Sequence, residues 1–248
     1  MNKILEIKNL SKKYHTLIGE IFAIENISLD VYKGEILGIV GSSGCGKSTL
    51  LNILADLEQK TAGFISNGNL NYSYMLQSDA LLPWLTVLDN ACLGLELQNN
   101  KTDENINYAK ELLIDFGLKD FLNNYPSNLS GGMKQRVALV RTLATKPDII
   151  LLDEPLSALD YVTRLTISDD IYNLLKKTNV TTILISHDIA EVVSLCDRVI
   201  VLSKRPCKIK NVYDINLDNK TYPSKNRRDK NFIHYYDLIW GDLDKDLS

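Results

Sequence analysis

Ile36-Leu37-Gly38-Ile39-Val40-Gly41-Ser42-Ser43-Gly44-Cys45-Gly46-Lys47-Ser48-Thr49 runs from an apolar stretch into a glycine-rich loop and the start of a helical segment. The residues before Gly41 form a short continuous apolar run, the mark of a strand covered on both faces. From Gly41 to Ser48 the chain fits GxxxxGK[ST], a phosphate loop, placed between strand and helix as its chemistry requires. Glycines let the backbone curl so that successive N–H groups converge on phosphate oxygens, and the helix N-terminus adds partial positive charge. Lys47 is expected to reach the outer phosphates and Ser48 to coordinate Mg²⁺, so that an ammonium and a metal share the neutralisation. Gly41, Ser42, Ser43, Gly44, Cys45, Gly46, Lys47, Ser48 and Thr49 are thus the candidate nucleotide-binding set. A mere glycine-rich turn would leave the Lys-Ser pair and the flanking strand unexplained. Cys45 has a second reading as a reactive thiol, because helix N-termini lower thiol pKa values, beside the plainer one of a small residue in the loop.

Working outward, two further buried-type strands are expected at Ile149–Leu152 and Thr181–Ile185, with a helix through Leu156 to Lys177 between them. A helix should open just after Ser130, run to about Thr145 and end before Pro147. Another should run from Lys101 to Phe116, capped by Thr102 and stopped by Gly117. Strands alternating with helices imply a mainly parallel sheet flanked by helices, the α/β class, with functional loops at the strands' carboxyl ends. Ile4–Lys8 and, less cleanly, Phe22–Val31 alternate apolar and polar residues, which suggests an antiparallel N-terminal sheet. Periodicity weakens after Ser203, although Phe232–Trp240 could form a last helix.

Ile149-Ile150-Leu151-Leu152-Asp153-Glu154 ends a strand in two carboxylates. Asp153 can hold Mg²⁺ through its water shell, and Glu154 can face an attacking water as general base. Leu129-Ser130-Gly131-Gly132-Met133 opens a helix capped by Ser130, and Gly131-Gly132 leaves backbone N–H groups open to a second anion.

LSGGM between the phosphate loop and ILLDEP closely resembles the ATPase cassette of ABC transporters, over about Ile4 to Lys204. That resemblance implies a P-loop NTPase core with an N-terminal antiparallel β-subdomain and an α-helical signature subdomain at about 78–145; residues 205–248 would be a C-terminal tail packed on or extending the cassette. It further implies that Tyr14 stacks on adenine, that Gln77 contacts Mg²⁺ and senses the membrane partner, and that His187 contacts the γ-phosphate. Leu156-Ser157-Ala158-Leu159-Asp160 matches the loop linking two nucleotide sites. ATP and Mg²⁺ are the implied cofactors. The implied assembly is a head-to-tail homodimer in which the Ser130 segment of one copy closes over the phosphate loop of the other, docked on permease subunits at the cytoplasmic face of the membrane. With Glu154 present, the copy should hydrolyse ATP.

Leu81-Leu82-Pro83-Trp84-Leu85-Thr86-Val87 after Gln77, with Gly94-Leu95-Glu96-Leu97 beyond it, is similar to importers of the nitrate, sulfonate and taurine type, which work with an extracytoplasmic solute-binding protein. The Pro-Trp segment is either a docking groove for a permease helix or ordinary core. Asp56 stands where the family usually has glycine, and Gly63–Tyr74 is shorter than in many relatives. Another small solute, such as a vitamin precursor, or a soluble ABC ATPase is the alternative. Asn100-Lys101-Thr102-Asp103 reads NKxD, a guanine-selecting pattern, but it follows a polar stretch instead of a strand.

Composition narrows the rest. A formal charge of −3 gives no whole-protein attraction to nucleic acid, and Lys225-Asn226-Arg227-Arg228-Asp229-Lys230 reads as a solvated, charged connector. Cys45, Cys92, Cys196 and Cys207 lack CxxC spacing, which fits reduced thiols in a cytosolic chain. No apolar run approaches the roughly 18 residues of a membrane span, so any membrane link runs through a partner.

Overall fold

The computed structural model describes residues 2–17, 19–66, 68–218 and 220–244. In chain order the elements are β1 (Lys3–Thr16), β2 (Gly19–Tyr32), β3 (Ile36–Val40), α1 (Lys47–Leu54), β4 (Ala62–Ser66), β5 (Tyr72–Met75), α2 (Val87–Leu97), α3 (Asp103–Asp115), α4 (Gly131–Ala144), β6 (Ile149–Asp153), α5 (Tyr161–Thr178), β7 (Thr181–Ile185), α6 (Ile189–Leu195), β8 (Arg198–Leu202), β9 (Ile209–Asp214), α7 (Pro223–Asn226) and α8 (Phe232–Asp244).

They build two sheets. The larger has the order β5-β6-β7-β3-β8-β9, parallel throughout except for the antiparallel edge strand β9. The smaller, β2-β1-β4, is antiparallel. Every residue of β3, β6 and β7 is buried, as strands sandwiched between two layers must be. Their two-residue alternation still sorts side chains by face. Leu37, Ile39, Leu151 and Ile183 pack toward α1 and the smaller sheet, while Ile36, Val40, Ile150 and Leu184 join the core with the helices on the opposite side. Each such burial contributes roughly 1.5–3 kcal/mol, so the strands that end at the site are firmly held.

Several elements depart from the sequence expectation. β1 and β2 are far longer than the alternating stretches, because register shifts break their alternation without breaking their pairing. α5 starts at Tyr161, not Leu156: Asp160 accepts from the Thr163 amide at 3.1 Å and caps the helix there, leaving Leu156–Asp160 as a turn. Beyond Ser203, β9 extends the sheet by pairing antiparallel with β8. The basic run is also not a free connector. Ser224 N donates to Asp169 at 2.8 Å, the buried Asn226 donates to Ser194 O at 2.7 Å, and α7 thereby rests on α5 and α6. α3 has the anticipated cap, Thr102 accepting from Asn105 N. NKxD therefore serves a helix start.

Candidate functional site

The phosphate loop lies at the carboxyl end of β3, where the sheet's parallel strands stop and the helices begin. Gly46 has φ +130, and a methyl group added to it would lie 2.9 Å from Ala23 O, so this position admits glycine alone. Lys47 is buried and its Nζ donates to Gly41 O at 2.9 Å and Ser42 O at 3.1 Å, which holds the ammonium under the mouth of the loop. Ser43, Gly44 and Ser48 are exposed on that mouth. Tyr14, near the end of β1, comes to the loop's rim, its hydroxyl 3.5 Å from Thr49 Oγ1 and its ring under Lys12 Nζ at 4.8 Å.

Around the ends of β5, β6 and β7 a second group forms. Asp153 is buried and accepts from Tyr74 Oη at 3.1 Å; burial and then the Asp153 charge push the Tyr74 phenol well above its ordinary range. Glu154 has left-handed backbone, φ 48, with its amide fixed by Ile185 O at 2.9 Å, which turns its carboxylate out of the strand line. Its Oε2 lies 2.9 Å from His187 Nδ1 and 3.4 Å from Gln77 Nε2, and Gln77 also reaches Ser157 Oγ at 3.4 Å. An open cleft lined by Gln77, Asp153, Glu154, Ser157 and His187 results. Three residues far apart in the chain are thus brought together at one carboxylate.

The metal assignment can be tested on the donor set. Asp153 supplies a carboxylate, Ser48 a hydroxyl and Gln77 an amide, all able to offer hard oxygens. Among the described residues no group of three or more His, Cys, Asp or Glu could hold a metal by itself. One carboxylate plus neutral oxygens is what Mg²⁺ accepts when phosphates complete its shell, so the residues fit it.

Ser130 and Asp160 do not join this group within one chain. Ser130 caps α4 by accepting from Met133 N at 3.3 Å, and Asp160 caps α5. Among the described residues no hydrogen bond or ion pair links Ser130 to the phosphate loop. Gly131 faces Leu159, and a side chain on Gly132 would meet Thr163 Cγ2 at 2.9 Å; Gly132 therefore lets α4 approach α5 as well as baring its amide.

Other contributing residues carried no motif. Arg164 donates to Asp188 at 3.3 Å and Leu159 O at 3.2 Å, tying the turn after β6 to the loop after β7. The buried Asn90 accepts from Leu82 N and donates to Leu82 O, Leu85 O and Thr86 O, while Arg141 donates to Asp79 O and Ala80 O. Together they anchor the segment after Gln77, where Trp84 is 70% exposed; Leu76, just before Gln77, is 47% exposed. Arg205 donates to Gly44 O at 2.9 Å. The helical spacing from Asp160 to Arg164 was the available signal for the first; the others act through tertiary contacts with no local pattern.

The model of the ABC transporter family matches residues 24–157. The chain is 44% identical over 205 residues to the aliphatic sulfonates import ATP-binding protein SsuB 1 of Shouchella clausii, covering 82% of this chain and 79% of that protein. It is 35% identical over 228 residues to the nitrate transport protein NasD of Klebsiella oxytoca, covering 88% and 87%. Among solved structures, the dimeric post-hydrolysis state of the ATP-binding cassette MJ0796 bound to ADP and Pi superposes with a TM-score of 0.73 at 31% identity, covering 86% of this chain and 99% of that one.

Proposed function

This chain belongs to the ABC transporter family and is one of its ATPases, and from that premise we propose that two copies bind MgATP head to tail and couple its hydrolysis to uptake of a small anion through a separate permease. The observation that carries the site assignment is the meeting of Glu154, His187 and Gln77 at the end of β6, on the same edge of the sheet as the Lys47 loop. Asp153, Ser48 and Gln77 would hold Mg²⁺, which when bound supplies positive charge to the phosphates.

The chain's own residues divide the remaining work. Lys47 and the loop amides from Gly41 to Thr49 bind the outer phosphates, and Tyr14 stacks on the adenine. Glu154 accepts a proton from the attacking water, and His187 orients that carboxylate while facing the γ-phosphate. Ser130, Gly131 and Gly132 from the facing copy close the site, with Asp160 at the junction. The helical unit from about 78 to 145 carries this segment, and the described residues from 205 to 244 form a tail on the cassette, 245–248 lying outside the described residues.

The relatives named for sulfonate and nitrate transport support a small anion as cargo. Leu76, next to Gln77, and Trp84, further along the same segment, are exposed and support permease docking; a subunit docked in that way sits peripherally on the membrane and meets a solute-binding protein only indirectly. Among the described residues no helix is long and apolar enough to cross a membrane. The test is phosphate release by the purified chain: turnover requires Mg²⁺ and disappears in Lys47→Ala, whereas turnover that survives that substitution contradicts the assignment.

A further inference from the structure

Beneath the phosphate loop two thiols meet. Cys45 and Cys207 are both free, 1% and 0% exposed, and packed in one cluster. Each thiol is the leading influence on the other's titration, in opposite directions, so the two are neighbours. Cys207 is fixed from both sides by β2, its amide donating to Ala23 O and its carbonyl accepting from Glu25 N, each at 3.0 Å. A methyl group on Gly46 would lie 3.2 Å from Cys207 Cβ, and one on Gly41 would lie 2.9 Å from Cys45 Sγ, so both thiols sit directly against the loop backbone. The nucleotide chemistry uses neither sulfur.

We propose that Cys45 and Cys207 form an oxidisable dithiol, and that its closure to a disulfide withdraws the phosphate loop from nucleotide. Cys45 is the sulfur that reacts first. It adjoins the N-terminus of α1, and the neighbouring Cys207 thiol, with the charge of Lys47 behind it, holds its own thiol below the ordinary range. With hydrogen peroxide as oxidant, the Cys45 thiolate attacks the peroxide: an S–O bond forms, the O–O bond breaks, and hydroxide leaves to become water. The Cys207 sulfur then attacks the Cys45 sulfenic acid, forming the S–S bond, and the S–O bond breaks to release a second water with the Cys207 proton. Two thiols lose two electrons and two protons, and one peroxide becomes two waters.

The consequence follows from geometry. Drawing two separate thiols to a bond of about 2.05 Å requires movement, and Cys207 is pinned by β2. Gly46 already rests against Cys207, so the loop must twist at Cys45. Its amides then leave the convergence that phosphate binding demands, where roughly 0.5 Å matters. Only this consequence rests on the proposed nucleotide site; the cross-link is read by mass whether or not nucleotide binds.

The test exposes the purified chain to hydrogen peroxide, caps remaining thiols, and follows both the peptide masses and the binding of a fluorescent ATP analogue. The expected result is a Cys45–Cys207 cross-linked peptide, with affinity lowered at least about tenfold and restored by dithiothreitol. Cys207→Ser, when reduced, should bind nucleotide as the parent does and yield no such reversible loss. A parent chain without the cross-link, a cross-linked chain that binds nucleotide as before, or the same dithiothreitol-reversible loss in Cys207→Ser would each overturn the proposal.

Discussion

Nδ1 of His187, on the loop after β7, lies 2.9 Å from Oε2 of Glu154 at the end of β6. The pairing fixes the direction of a carboxylate that its left-handed backbone has already turned out of the strand. Replacing Glu154 with Gln keeps the shape and removes the base. Turnover should fall about a hundredfold to ten-thousandfold while equilibrium binding of ATP is retained, as phosphate release and a nucleotide titration would show. Parent-like turnover in Glu154→Gln would remove this residue from the base role.

Tyr14 reaches the loop's rim from a different sheet, its hydroxyl only 3.5 Å from Thr49. If its ring is the adenine platform, Tyr14→Phe should be nearly neutral and Tyr14→Ala should lose roughly 1–2 kcal/mol of stacking. The expected signature is a rise in KM for ATP of about five- to thirtyfold with little change in kcat.

A pH dependence follows from Glu191, which is fully buried beneath the His187 loop and accepts from Ser186 Oγ at 2.6 Å. Burial raises its carboxyl to about 7, with Asp188 adding to the rise and the Ser186 hydrogen bond, Arg164 and Arg227 opposing it. Between about pH 4.5 and 7 the folded chain therefore holds a proton that the unfolded chain has released. This contribution to stability is complete below the unfolded value and is lost as pH rises through about 7. In Glu191→Gln, denaturation titrations should show that slope removed, with the stability difference moving in the variant's favour by about 3 kcal/mol from pH 4.5 to 8. An unchanged slope would contradict the buried protonated acid.

Asp56 explains a departure visible in the sequence. It has φ 57 just past the end of α1, the left-handed position that glycine occupies without strain and that Asp tolerates better than most residues. Asp56→Gly should raise stability by about 0.5–1 kcal/mol and Tm by about 1–4 °C, with ATP turnover unaltered.

What the sequence disclosed and what it hid separate on physical lines. The strand into Gly41, the cap at Ser130 and the acids after Leu152 are local, because phosphate loops, helix starts and buried strands are written in adjacent residues. Tyr14 could be placed only by resemblance, since its approach to Thr49 depends on how two sheets stack. The start of α5 is hidden in the sequence because the apolar Leu156 and Leu159 extend a helical-looking pattern through a turn that Asp160 ends. Asn90, Arg141 and Arg164 position functional loops through tertiary hydrogen bonds, for which no periodicity exists to read. The Cys45–Cys207 contact likewise joins residues separated by most of the chain.

Among the described residues no hydrogen bond joins Ser130 to Lys47 within one copy, yet the mechanism requires both on the same triphosphate. The most direct measurement is the molar mass in solution, by light scattering, of Glu154→Gln with ATP and Mg²⁺, alone and with Ser130→Arg added. The account predicts an ATP-dependent dimer for the first and a monomer for the second. A hydrolysis-blocked chain that stays monomeric when saturated with ATP, or one that dimerises equally well with Arg at position 130, would contradict it.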